Sequence, residues 1–311
     1  MPDARETFRE IVVISGKGGT GKTSLAAAFA ALARDAVFCD LDVDVPDLHI
    51  ILSPAVRESG PFMGGAKASV RSADCISCGT CLEACRFSAV RRQGSAYSVD
   101  EALCEGCGVC AALCPAGAIG LEETACGEWY VSDTRFGPFV HAALKPGQEN
   151  SGRLVSLLKR KAREVAAQKH LSLILCDGSP GIGCPVISSL AEATLAVAVV
   201  EPTLSGLHDF ERVAGVCRHF RIPVGVVVNR WDLNPEGADA IERACLGAGH
   251  DVFGRVPFDA AIIQAANRRL AATECDTPLA RCIRGIWDRI AGFAPGGRKG
   301  LAPAVPPAKL L

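Results

Sequence analysis

The sequence predicts an α/β fold: a doubly wound, mostly parallel sheet interrupted by a small inserted domain that a hydrophobic core alone cannot hold together. Three observations carry this expectation. Short apolar runs alternate with helical stretches before residue 61 and again after residue 123, as in a parallel sheet covered on both faces. The intervening stretch, residues 62–122, is rich in glycine and cysteine with little apolar periodicity. Eight of the sixteen cysteines fall between Cys75 and Cys114, which points to metal ligation at one locus rather than to the disulfides of a small secreted domain.

In chain order, Ile11 to Ile14 reads as a strand, Ser15 to Gly21 as a loop, and Lys22 to about Arg34 as an alanine-rich helix. A second strand, Ala36 to Cys39, ends on the acidic run Asp40-Leu41-Asp42-Val43-Asp44. Beyond the insertion, a helix from Arg153 to Lys169 leads into a strand at Leu171–Cys176. Further strands are expected at Leu195–Val200, Val224–Val228 and Val252–Val256. The ATPase-type core is thus expected in two parts, 1–61 and 123–294, with the insertion at 62–122. The Pro-, Gly- and Ala-rich tail, 295–311, is expected to be disordered.

Bulk properties exclude some classes. A net charge of -1 across 311 residues gives no general attraction to nucleic acid or anionic lipid. No apolar run approaches the roughly 20 residues of a spanning helix, and the charged N-terminal stretch lacks the apolar core of a secretory signal. A cytoplasmic protein is the expectation.

Gly16-Lys17-Gly18-Gly19-Thr20-Gly21-Lys22-Thr23, followed by Ser24, satisfies G-x-x-x-x-G-K-[ST] between a strand and a helix. Backbone N–H groups of such a loop turn toward a phosphate, and the helix N-terminus adds a favourable dipole. Lys22 is expected at the β- and γ-phosphates and the Thr23 hydroxyl on Mg²⁺. Cys75-x₂-Cys78-x₂-Cys81-x₃-Cys85 and Cys104-x₂-Cys107-x₂-Cys110-x₃-Cys114-Pro115 give the doubled bacterial ferredoxin run. At that spacing Cys75, Cys78, Cys81 and Cys114 would hold one [4Fe–4S] cluster, and Cys104, Cys107, Cys110 and Cys85 the other. Zinc is the alternative reading of isolated C-x₂-C pairs. Arg86 stands where the second run has Pro115, which should change local turn stiffness and not the ligand count.

The second lysine, Lys17, in KGGTGKT resembles the deviant Walker-A family of P-loop ATPases, which includes MinD, ParA, Mrp-type cluster carriers and the nitrogenase iron protein. The resemblance implies that Lys17 crosses a homodimer interface to the partner's nucleotide. It also implies that Asp42, or else Asp40, orients the attacking water as switch I. Cys176-Asp177-Gly178-Ser179-Pro180-Gly181 is similar to Walker B with switch II: Asp177 would hold Mg²⁺ through water and the Gly181 N–H would sense the γ-phosphate. Asn229 matches the family's base-contacting asparagine, and Pro257 its late loop near the base. Asn229-Arg230-Trp231-Asp232 also resembles the guanine-reading N-K-x-D of GTPases, though the deviant loop favours ATP.

Together the parts resemble MinD-superfamily ATPases carrying an inserted two-cluster ferredoxin domain. That implies ATP hydrolysis coupled either to electron transfer to a protein partner or to delivery of metal or cluster cargo. The alternative is a positioning or regulatory ATPase with clusters as redox sensor or structural staple. Cys184 beyond switch II reads as a nucleotide-linked ligand or as a buried small residue, and Cys126 shares that ambiguity. The stripe Ile283, Ile286, Trp287, Ile290 and Phe293 suits either core packing or a membrane-surface helix. His141 and His208 read as structural.

Overall fold

The computed structural model describes residues 8–145 and 151–294; the expectation for the 295–311 tail lies outside them. The chain runs β1 (Arg9–Ser15), α1 (Lys22–Ala30), β2 (Ala36–Asp40), α2 (Leu48–Leu52) and β3 (Ala55–Val70). Next come α3 (Thr80–Ala84), β4 (Val90–Gln93), β5 (Ala96–Val99), α4 (Val109–Leu113), β6 (Ile119–Asp133) and β7 (Pro138–Leu144). The remainder alternates: α5 (Ser151–Lys169), β8 (Leu173–Pro180), α6 (Cys184–Leu190), β9 (Leu195–Val200), α7 (Leu204–His219), β10 (Val224–Asn229), α8 (Pro235–Gly247) and β11 (Asp251–Val256). Helices α9 (Ala261–Asn267) and α10 (Pro278–Ala291) close the described chain.

Residues 8–59, 129–143 and 151–294 form one compact unit, and 60–128 with 144–145 a second. The chain leaves the first unit along β3 and returns along β6. In the larger sheet the order is β11-β10-β9-β1-β8-β2-β7-β6-β3, with β11 through β2 to β7 paired in parallel. From β1 the chain crosses to β2 on one side of the sheet, and from β8 it crosses to β9 on the other. The carboxyl ends of β1, β2 and β8 therefore meet at the topological switch point, where open α/β sheets bind ligands.

Strand-forming runs are where the apolar patterning put them, but the ends differ. Strand β8 begins at Leu173 rather than Leu171 and continues through Asp177-Gly178-Ser179 to Pro180, because those polar residues are buried between neighbouring strands rather than turned into a loop. Helix α1 stops at Ala30 rather than near Arg34; Leu32 and Ala33 bond back to Phe29, and Asp35 takes a left-handed φ of 48°. Strands β3, β6 and β7 have no counterpart among the strands expected from the sequence; β3 is glycine-bearing and exposed over its first five residues. The return stretch Thr134–Gly137 is the turn of the β6–β7 hairpin. Thr134 and Gly137 exchange backbone hydrogen bonds of 3.0 and 3.3 Å. Arg135 reaches the carbonyls of Ile51, Leu52 and Arg269 and pairs with Glu274 at 2.6 Å.

The stripe on α10 faces inward: Ile283, Ile286, Trp287 and Ile290 are buried in the main core, with Phe293 packed against it. Trp287 stacks on Phe29 of α1 at 5.4 Å. Core packing thus accounts for the stripe that also suited a membrane surface. No helix among the described residues is long and apolar enough to cross a membrane.

His141 on β7 is buried, 3.0 Å from the Ser132 hydroxyl, and its ring stacks with those of Phe139 and Tyr130. Burial, with the charge of His49 nearby, lowers its imidazole to about 4. An unfolded histidine titrates near 6.5, so between those values the unfolded chain takes a proton that the folded chain refuses. Stability therefore falls as the pH drops through this window. Going from pH 7 to pH 5 should cost the wild type about 2 kcal/mol that His141→Phe does not lose. Urea unfolding at the two pH values measures it, and equal losses would show that His141 charges freely in the fold.

In the second unit, β4 and β5 pair antiparallel, Val90 opposite Val99. Helices α3 and α4 are single turns, each entered through a left-handed glycine, Gly79 or Gly108, and each followed by an extended cysteine, Cys85 or Cys114. The sequence duplication is therefore a backbone duplication. Cys85 (φ -80°, ψ 104°) and Cys114 (φ -71°, ψ 109°) adopt the same conformation, so Arg86 in place of proline leaves the preceding backbone unchanged. The small core holds Ala68, Cys81, Ala89, Val90, Tyr97, Cys104 and Ile119, too little apolar surface to stabilise such a unit unaided.

Candidate functional site

The loop between β1 and α1 turns at Gly19 and Gly21, with φ of 82° and 87°, a conformation that costs glycine least. Gly16 is required for another reason: a Cβ there would sit 2.3 Å from Asp209 Cβ on α7. At the helix start Lys22 is buried, and its Nζ lies 2.7 Å from Asp177 Oδ1, 3.6 Å from Asp42 Oδ2 and 3.3 Å from Thr23 Oγ1. Burial pulls the ammonium toward neutrality, but Asp177, Asp42 and Asp40 outweigh it and raise Lys22 above its ordinary value.

The carboxylates arrive through sheet register. Asp40 at the end of β2 stands beside Asp177 on β8, one position beyond the buried pair Cys39 and Cys176. Burial and the Asp177 charge push the Asp40 carboxyl well above the usual range. Its oxygens accept from the N–H groups of Asp42 (3.1 Å) and Leu48 (3.2 Å), so Asp40 shapes the loop that follows it. Asp42 keeps partial solvent access and is also raised, by burial opposed by Lys22. Of the two aspartates expected at an attacking water, the geometry leaves Asp42 the freer.

The segment after Asp177 is tied to the one after Asp40 by a contact that leaves no mark in the sequence. The Ser179 hydroxyl donates to the Leu41 carbonyl at 2.7 Å. The Gly181 N–H, expected to sense a phosphate, donates instead to the Ser15 carbonyl at 2.9 Å. Lys17 does not project freely either. Its Nζ lies 3.2 Å from Glu201, which also pairs with Arg230 at 2.5 Å. No pattern around Glu201 marks it beyond its position at the carboxyl end of β9.

Asn229 and Asp232 are braced by the protein. Asn229 Nδ2 donates to the Thr20 carbonyl at 2.7 Å, while its buried Oδ1 has no partner among the described residues. Asp232 accepts from the Phe258 N–H at 2.6 Å, joining the Asn229 turn to the Pro257 loop. Cys184 is exposed at the start of α6, whereas Cys126 is buried, so the buried reading fails for the first and holds for the second. His208 is exposed on α7.

In the second unit two cavities are walled by cysteines. One is lined by Cys75, Cys78, Cys81 and Cys114, the other by Cys85, Cys104, Cys107 and Cys110. Each takes three thiols from one run and the fourth from the other. Cys114 Sγ receives the Ala118 N–H at 3.3 Å and Cys104 Sγ the Ala68 N–H at 3.5 Å. Among the described residues no three His, Cys, Asp or Glu converge closely enough to hold a single metal ion. The donor set, four thiols around a cavity, suits a polynuclear iron–sulfur group, which prefers thiolates and backbone N–H donors to sulfur.

A doubly wound parallel sheet with a strand–loop–helix phosphate site at its switch point is the architecture of a P-loop nucleotide-binding protein. Residues 11–272 match the CobQ/CobB/MinD/ParA nucleotide binding domain, and the chain belongs to that family. It is 27% identical to the uncharacterized protein MJ0578 of Methanocaldococcus jannaschii over 287 residues, 91% of this chain and 97% of the relative. The septum site-determining protein MinD of Pyrococcus horikoshii, complexed with Mg-ADP, superposes with a TM-score of 0.56 at 16% identity, covering 92% of this chain and 98% of that one. A chain of the MinC:MinD cell division protein complex of Aquifex aeolicus gives 0.56 at 18% identity, with 94% of this chain and 100% of that one covered. These structural likenesses describe the fold.

Proposed function

We propose that this protein is an ATP-dependent dimerising switch of the MinD/ParA kind, with two [4Fe–4S] clusters in its second unit acting as redox sensor or structural staple. The observation that carries it is Lys22 buried among Asp177, Asp42 and Asp40 beside a phosphate loop. Membership of the family supports nucleotide binding, and the Pyrococcus horikoshii relative, crystallised with Mg-ADP, supports an adenine nucleotide.

Backbone N–H groups of Gly16 to Thr23 and the α1 dipole hold the phosphates. Lys22 exchanges a carboxylate for a phosphate oxygen without leaving its buried position, so its positive charge is already in place when substrate enters. Thr23 and Asp177 would hold Mg²⁺, which supplies neutralisation of charge on the β- and γ-oxygens. Asp42 orients water. Lys17 leaves Glu201 and reaches a second copy, and Gly181 exchanges Ser15 for the γ-phosphate. Ser179 passes the movement of switch II to the Leu41 carbonyl in switch I.

Light scattering with a non-hydrolysable ATP analogue tests this reading. The wild type is expected to dimerise with the analogue and remain monomeric with ADP. Lys17→Ala should bind the analogue yet stay monomeric, with hydrolysis lowered on the order of 10³-fold, the size of a supplied cationic finger. A Lys17→Ala protein that dimerises and hydrolyses like wild type would sink the cross-dimer role.

Electron or cluster delivery to a partner is the second reading. It is favoured by the exposure of Cys78 and Cys107, one from each cavity. An ATPase rate that changes on cluster reduction would favour it over a structural staple.

A further inference from the structure

The two cysteine cavities differ in what else lines them. The wall around Cys75, Cys78, Cys81 and Cys114 carries two hydroxyl side chains, Thr80 and Tyr97. The wall around Cys85, Cys104, Cys107 and Cys110 is apolar except for Glu105, which is exposed. Thr80 Oγ1 lies 3.5 Å from Cys78 Sγ. Tyr97 is 8 % exposed and packs with Cys81 in the small core.

Two features fix the Tyr97 hydroxyl at its cavity wall. Strand β5 sets the residue opposite Arg92 on β4. At the other end, a Cβ on Gly79 would come within 3.2 Å of Tyr97 Oη. Gly79 lies between Cys78 and Cys81 and holds φ +85°; alanine there would both strain the turn and crowd the hydroxyl. No protein group shares a hydrogen bond with that hydroxyl among the described residues. The hydroxyl is therefore free to donate into the space beside it, which is bounded by sulfur.

We propose that Tyr97 donates a hydrogen bond to sulfur of the cluster held by Cys75, Cys78, Cys81 and Cys114, and thereby makes that cluster the more easily reduced of the two. The inference rests on the reading that the second unit carries two clusters. Adding an electron increases negative charge on the sulfurs, and donors aimed at them stabilise the reduced state; hydrogen bonds to sulfur and local charge are among the levers that set cluster potentials. The Cys85, Cys104, Cys107 and Cys110 centre has no such hydroxyl and has a carboxylate beside it, which opposes reduction. An electron entering the unit therefore comes to rest on the cluster beside Tyr97.

The test uses the full chain, reconstituted with iron and sulfide without oxygen and titrated potentiometrically with EPR detection. The wild type should show two one-electron steps. Tyr97→Phe retains the ring in the core and removes only the hydroxyl, so iron content should not change. Its upper step is expected to fall about tenfold in equilibrium constant, ~59 mV for a one-electron couple, while the lower step stays in place. Glu105→Gln should raise only the lower step. A merely packing role for Tyr97 would move neither. Wild-type iron content with an unmoved upper step, or movement of the lower step instead, overturns the assignment of Tyr97 alone. A reconstituted chain that holds no iron overturns the two-cluster reading and this inference with it.

Discussion

Lys22→Ala should lose ATP hydrolysis by on the order of 10²–10³-fold and should also destabilise the protein before any nucleotide is added. The second effect follows from what the lysine does in the empty site. Its ammonium lies 2.7 Å from Asp177 and 3.6 Å from Asp42, with Asp40 close enough to add its field. Alanine leaves these carboxylates facing one another in a buried pocket without their cation. Removing one partner of a buried pair costs about 3–5 kcal/mol, because the charge left behind stays desolvated. Protonation offers a way out. Asp40 and Asp42 are already raised above the ordinary carboxylate range, chiefly by burial, and losing Lys22 lifts them further. A carboxyl raised in the folded state binds a proton that the unfolded chain has released, so folding is favoured as the pH falls toward the folded value. The variant should therefore recover stability between pH 8 and pH 5 relative to wild type. Urea midpoints across that range check the sign, and a variant as stable as wild type at pH 8 would refute the counter-ion role.

What was legible in the sequence was whatever leaves a local mark. The phosphate loop reads from its own glycine spacing, and the buried strands β1, β9 and β10 read as apolar runs because both faces are covered. Asp177 could be located because it ends such a run. The contacts that set the roles of the site residues are long-range and leave no local mark. Asp40 and Asp42 are equivalent in sequence; only the fold shows Asp40 accepting two backbone N–H groups and Asp42 keeping partial solvent access. Ser179 looks like any small polar residue until its bond to the Leu41 carbonyl is seen. Glu201, which holds Lys17 within its own chain, is one acidic residue among 34. Strands β3 and β6 were hidden because glycine-bearing strands of irregular burial lack the alternation that a half-buried sheet imposes. In the second unit the reverse holds: the cysteine spacing anticipates which thiols line each cavity, since three of the four come from one short run.

Cys114→Ala should remove the centre shared with Cys75, Cys78 and Cys81, although Cys114 follows Cys104, Cys107 and Cys110 in the chain. If each run closed on itself, Cys114 would belong with its own run, and its loss would damage that centre. The backbone turns the other way. After α4 the extended conformation of Cys114 carries its thiol to the cavity of the first run, and Cys85 does the converse after α3. Iron in the reconstituted chain should thus fall from about eight atoms to about four in either variant, a loss of the same size from opposite centres. The surviving centre distinguishes them. Cys114→Ala should retain only the lower-potential step, as Cys75→Ala does, and Cys85→Ala only the upper step, as Cys110→Ala does. Because Tyr97 and Thr80 line only the first cavity, Tyr97→Phe should still shift the remaining step in the Cys85→Ala background and have no effect in the Cys114→Ala background. A Cys114→Ala protein whose remaining step matched that of Cys110→Ala would mean that the runs do not exchange their fourth ligands.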